Sequence, residues 1–212
     1  MSVEPQTDAP ESAKSAPAEQ PQQPEQHDVT FSFDRTTHYR VRERVFRPDC
    51  FEVHDENNNA ILSIVGKVID RSGQKVMFWK DTQHRLFKMT EEWNSWLQRM
   101  YMFEYRTKQV FTIQKKGSLP FFGRGVVLVW KGKGTDSTPC LQMNTTGGRS
   151  RITVTDIASG RVWATMKRSM FGPRRLFTGA DYYRVSVRPG VHVPFIMMLC
   201  VCADEQYTDF NR

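Results

Sequence analysis

The stretch RPGVHVPFIMMLCVCADE, Arg188 to Glu205, lies almost at the end of a chain that is otherwise polar and basic, and from Phe195 to Ala203 every residue is apolar. Its uncharged window, Pro189 to Ala203, is fifteen residues long. As a helix it measures roughly 22 Å, against a bilayer core about 30 Å thick. It is too short to span, and Arg188 on one side with Asp204 and Glu205 on the other prevents extension without burying charge. A helix lying in the membrane interface needs a polar, commonly basic face, and Phe195 to Ala203 has none. What remains is a helix that is apolar all round and therefore buried all round. Pro194 suits its first turn, where the missing N–H is not needed and φ is preset.

The rest of the chain must supply the surroundings, and between Val29 and Pro189 its dominant period is two. FEVHDENNNAILSI sets Phe51 and Val53 on one face and Glu52 and His54 on the other, then turns through Asp55 to Asn59. RITVTDIASGRVWATMKR repeats the form: Ile152 and Val154 alternate with Thr153 and Thr155, Asp156 to Gly160 turn, and Val162, Ala164 and Met166 resume. Laid together, the two stretches match Phe51 with Ile152, Asp55 with Asp156, Asn59 with Gly160 and Ile61 with Val162, a weak internal repeat. Further strands are predicted at 77–79, 85–89, 101–105, 110–115, 126–130 and 182–188. In TEEWNSWLQRM, the spacing of Trp93, Trp96, Leu97 and Met100 fits a short helix or an irregular loop equally. Many short strands in series indicate a sandwich or barrel, and one buried helix among them narrows the choice.

Residues 1–28 differ in kind. They are rich in Pro, Gln, Ala, Ser and Glu and nearly devoid of large aliphatic side chains, so they read as a disordered tail. The tail carries Glu4, Asp8, Glu11, Glu19, Glu25 and Asp28 against Lys14; setting its −5 aside from the total of +7 leaves +12 on residues 29–212, one domain. A domain so basic favours anionic partners. No leader-like segment opens the chain, and the four cysteines (Cys50, Cys140, Cys200, Cys202) show no framework spacing, so an intracellular setting with the thiols as small buried hydrophobes is expected.

The segments ITVTDIASGRVWATMKRS and TGADYYRVSVRPGVHVPFIMMLCVCADE resemble the C-terminal half of the LURP-one-related family, within the tubby C-terminal-like superfamily that also includes phospholipid scramblases. The shared trace is a strand ending in Asp156, a turn with Gly160, a strand ending in Lys167 and Arg168, a Tyr-rich strand from Tyr182, the Pro189-Gly190 turn and the closing helix. The likeness covers roughly residues 39–206. It implies a mainly β fold: a closed antiparallel barrel of about twelve strands around a buried hydrophobic C-terminal helix. Tubby proteins bind phosphoinositides through a basic-x-basic pair, and the matching positions here are Gln142 and Asn144, so that clamp is not carried over. The cysteine-rich palmitoylated segment of scramblases has no counterpart either.

The five histidines are scattered, and no His-Glu-x-x-His, Cys-x-x-Cys, nucleophile-elbow or phosphate-loop pattern is present. DENNN lacks the alternating oxygen ligands and terminal Glu of a calcium loop. The expectation is a non-enzyme without catalytic residues, metal or cofactor. Two segments combine cations with bulky apolar groups beside Pro and Gly. KKGSLPFFGRG holds Lys115, Lys116, Phe121, Phe122 and Arg124; KRSMFGPRRLF holds Lys167, Arg168, Phe171, Arg174 and Arg175. Arg149 and Arg151, two apart, add charge nearby. Such loops suit docking on an anionic phospholipid surface, each base gaining about 1 kcal/mol and the rings entering the interface. They equally suit rings folded into the barrel's end beneath solvated charges. The expected function is therefore peripheral association with anionic membranes or with a protein partner there. A nucleic-acid-associated or transcription-related regulator is the alternative, with bases stacking on exposed rings.

Overall fold

The computed structural model describes residues 33–44, 47–66, 73–92, 99–116, 125–146, 151–168 and 182–208. Twelve antiparallel strands follow one another: β1 (Thr37–Arg44), β2 (Arg47–His54), β3 (Ala60–Gly66), β4 (Lys75–Trp79), β5 (Arg85–Glu91), β6 (Met100–Glu104), β7 (Val110–Lys115), β8 (Val126–Lys131), β9 (Leu141–Thr146), β10 (Arg151–Asp156), β11 (Val162–Arg168) and β12 (Tyr182–Val187). Each pairs with its neighbours in sequence, and β12 pairs back onto β1, so the sheet closes without an edge. The helix α1 (Val193–Thr208) follows β12.

Alternation sorts each strand into an inner and an outer face. Tyr39 and Val41, Phe51 and Val53, Met89, Met102, Ile113, Val129 and Met143 are among the inward residues, all buried in one cluster with α1. From Ile196 to Ala203 no helix residue is more than 4% exposed, which answers the question raised by the apolar run: it is core. A 16-residue helix is about 24 Å long, enough to run the height of the barrel. Phe195 enters between Phe111 and Phe87, ring centroids 4.8 and 6.1 Å away, at the first residues of β7 and beside the start of β5. Deeper in, the Cys202 thiol lies 2.9 Å from the Met89 sulfur. Burial pushes the Cys200 thiol up to about 12 and that of Cys202 higher still. Cys140 is only half-buried, unlike the expectation for all four cysteines.

The helix ends on charge. Asp204 and Glu205 stand near its C-terminus, where the macrodipole disfavours acids, and the last turn holds no base of its own. The wall supplies the cations: Lys75 Nζ meets Glu205 Oε1 at 2.9 Å, and Arg168 lies 3.9 Å from Asp204. Tyr183 donates its hydroxyl to Asp204, and Arg168 sits 5.6 Å from the Tyr183 ring centroid.

An up-and-down barrel separates its connections onto two rims. One carries the turns at 55–59, 80–84, 105–109, 132–140 and 157–161 and the Pro189-Gly190 turn into α1. Gly190 there has φ +75°, a left-handed geometry that admits glycine freely, and its N–H donates to the Phe33 carbonyl at 2.9 Å. The other rim joins 44 to 47, 66 to 75, 91 to 100, 115 to 126, 146 to 151 and 168 to 182, and the helix C-terminus points to it.

The strand expectations agree with the fold to within two residues at each end, except that β2 begins at Arg47, four residues before Phe51, and 110–115 coincides with β7. β1 and β9 had no strand prediction of their own. Trp93 to Leu97 of the ambiguous segment lie outside the described residues; Thr90 ends up in β5 and Met100 in β6. The internal repeat holds only as far as its turn. Phe51 and Ile152 both face inward, but the second turn is one residue longer: Asp55 N–H donates to Asn59 O, whereas Asp156 N–H donates to Arg161 O. Beyond it the buried Leu62 corresponds to Ala164, not to Trp163. One extra residue exchanges the faces of a strand.

Glu52, on the outer face of β2, accepts from Arg44 and from Lys80 Nζ, the latter at 3.0 Å. The Arg44 hydrogen bond, with Lys80 assisting against partial burial, holds its carboxyl at about 2, below the ordinary 4.5. A carboxyl depressed on folding stabilises the fold above its unfolded pKa and loses that contribution as pH falls toward the folded value. Glu52→Gln should therefore lower the melting temperature at neutral pH, and the gap from wild type should close as pH falls from 4.5 to about 2. Thermal unfolding followed by circular dichroism across that range measures it; a constant gap would refute the assignment.

Candidate functional site

The outward residues of four adjacent strands line up in register. Arg151 of β10 is opposite Lys167 of β11, Lys167 is opposite Arg184 of β12, and Arg184 is opposite Arg40 of β1. All four are exposed. Four cations thus stand in one row across the barrel wall, about 4.8 Å apart at the backbone. Directly opposed like charges are destabilising, by roughly 0.2–1 kcal/mol per pair relative to neutral residues. None of the four has a carboxylate partner among the described residues. Glu56 is turned elsewhere: it accepts from the His38 N–H at 3.0 Å and pairs with Arg35 at 3.7 Å.

Two residues further along each strand, toward the rim of short turns, the next row is neutral and rich in hydroxyls. Thr153 faces Thr165, Thr165 faces Ser186, and Ser186 faces His38, whose Nδ1 lies 2.9 Å from Ser186 Oγ. A groove of about 320 Å³ follows this part of the wall. Arg151 and Lys167 line one end, Thr165 and Ser186 the middle, and Arg188 with Thr36 the end toward the rim of short turns. Cations around hydroxyl donors, open to solvent, make a site for an anionic oxygen group such as a phosphate.

The sequence-derived candidates divide. Arg151 and Lys167 come together as the head of the row. Arg168, next to Lys167, has the opposite orientation: its side chain is 17% exposed and its charge faces Asp204 at the end of α1. Lys115 closes β7 and Lys116 is exposed just beyond it, on the rim that the helix C-terminus approaches. Phe121, Phe122, Arg124, Arg149, Phe171, Arg174 and Arg175 lie outside the described residues. Gln142 and Asn144, which replace the basic pair of tubby proteins, face outward on β9 and bond each other, Nε2 to Oδ1, at 2.7 Å. Arg40, Arg184 and Arg188 were missed. Their signal is the alternation of Arg with inward residues in HYRVRER and YYRVSVR, which marks an outer face but not its neighbours.

Among the described residues no cluster of three or more His, Cys, Asp or Glu side chains is placed to hold a metal ion, and no described helix is long and apolar enough to cross a membrane. A model of the LURP-one-related family matches residues 37–204. No curated relative matches the chain. An X-ray structure of a protein from Arabidopsis thaliana superposes with a TM-score of 0.56 at 17% identity, covering 86% of this chain and 95% of that one. At that identity the likeness carries the fold: a closed twelve-stranded antiparallel barrel with one C-terminal helix.

Proposed function

This chain belongs to the LURP-one-related family, and on that premise we propose that it is a non-catalytic binding barrel that docks peripherally on anionic phospholipid surfaces, or on an acidic protein held there, through the basic wall of β10, β11, β12 and β1. The observation that carries this reading is the row Arg151, Lys167, Arg184 and Arg40, directly opposed and without a carboxylate partner among the described residues. A sheet that keeps like charges in register bears a cost that an anionic ligand relieves. The rim-side Lys115 and Lys116 add two more bases, and the sequence that follows β7 and β11 mixes further bases with aromatic residues, the composition that suits an anionic interface. Among the described residues, α1 and the inward side chains pack into a single cluster.

Binding to vesicles of phosphatidylcholine and phosphatidylserine, and to single- and double-stranded nucleic acid, should be measured side by side at low and high salt. The expected result is tighter binding to the vesicles at both. A basic domain adheres to any polyanion at low salt, so preference decides; stronger retention of nucleic acid at high salt would replace this reading with that of a nucleic-acid-associated regulator.

A further inference from the structure

The basic groove has a candidate occupant in the chain itself. The described chain begins at Phe33, whose carbonyl accepts from Gly190 N–H two residues beyond Arg188, and Thr36 lines the groove. The described chain therefore starts beside the groove's edge. Residues 1–32 carry six carboxylates and one lysine, −5 in all, against a domain of +12. We propose that this acidic N-terminal segment docks in the groove bounded by Arg151, Lys167 and Arg188 and competes there with the external anionic ligand.

Reach and charge both suit it. Asp28 is eight residues from Thr36, a span of about 15 Å for a flexible chain and at most about 28 Å extended. Thr37 is opposite Val187, Val187 is opposite Ala164, and Lys167 is three residues along β11, so two strand spacings across and three residues along put Lys167 about 14 Å from Thr37. A segment of that length is long enough for Asp28 and Glu25 to meet the bases of the groove. Tethering sets their effective concentration at about the millimolar level, so weak individual contacts suffice. A segment that fills the groove about three-quarters of the time weakens apparent affinity for a competitor about fourfold. The contact is exposed and electrostatic, so it is screened as the Debye length shrinks from ~30 Å at 0.01 M to ~3 Å at 1 M salt. Competition with lipid rests on the membrane-docking reading above; the contact itself does not.

The test uses the full chain with Glu4→Gln, Asp8→Asn, Glu11→Gln, Glu19→Gln, Glu25→Gln and Asp28→Asn. Backbone amide resonances of Thr165, Lys167, Ser186 and Arg188 should differ between wild type and this variant at low salt and coincide at high salt, with no lipid present. No difference at low salt overturns the contact, whatever the vesicles do. On phosphatidylcholine/phosphatidylserine vesicles the variant should bind several-fold more tightly than wild type. The same substitutions added to Arg151→Gln, Lys167→Gln and Arg188→Gln should give no further gain; an equal gain there would mean that net charge acts at long range, and would overturn docking. If the resonances move while neither protein binds vesicles, the contact stands and the membrane reading falls.

Discussion

Leu199→Asp should unfold the domain or send it into aggregates. Leu199 is 0% exposed, in the middle of α1, and the described walls around it are lined with Met, Val, Ile and Phe. An aspartate there is an unpaired charge in an apolar interior, costing several kcal/mol against a total stability of about 5–15 kcal/mol for a protein of ordinary size. The helix also has no alternative place to go, because the barrel that encloses it is closed. Loss of the cooperative thermal transition and of soluble protein would be the expected readout. A soluble, folded variant that had lost only membrane attachment would show that the helix is an anchor after all. Leu199→Met separates the two ideas: similar volume and no charge should leave the melting temperature nearly unchanged.

The second large effect is on binding. Replacing Arg40, Arg151, Lys167 and Arg184 by Gln should weaken association with anionic vesicles by up to about 4 kcal/mol, at about 1 kcal/mol for each base near the surface, which is close to a thousandfold at about 1.4 kcal/mol per decade. The difference should shrink at high salt. Stability should hold or rise slightly, since three directly opposed like-charge pairs are removed and no ion pair among the described residues is lost. Binding lost with the fold retained or strengthened is the pattern of residues kept for a ligand. Vesicle binding equal to wild type at both salt concentrations would overturn the proposal for the wall. The loops can then be tested separately: Lys115, Lys116, Arg174 and Arg175 to Gln removes charge from the rim, and Phe121 and Phe122 to Ser removes the rings. Rings that insert would cost affinity with the melting temperature preserved, whereas rings packed in the barrel would cost several kcal/mol of stability.

Much of the candidate site was half legible. HYRVRER and YYRVSVR announce strands whose outer faces are basic, and the +12 of the domain announces an anionic partner. Nothing in either segment says that Arg40 and Arg184 stand side by side, because that depends on β12 closing onto β1 in one register. Lys167 and Arg168 show the same limit within two residues. Both read as surface bases, yet strand alternation sends Lys167 to the groove and Arg168 to the end of the helix.

What the sequence determined by itself are the features that follow from local spacing and solvent. Period-two alternation makes strands, Asp55 to Asn59 and Asp156 to Gly160 make turns, and an apolar run too short for a bilayer and bare of polar faces makes a buried helix. These are decided by a few neighbouring residues and by water. The tertiary structure alone decided which strands close the barrel, which cations share a row, and which charge is given to the helix terminus. Those outcomes depend on register between segments distant in the chain, where a shift of one residue exchanges the inner and outer faces of a strand.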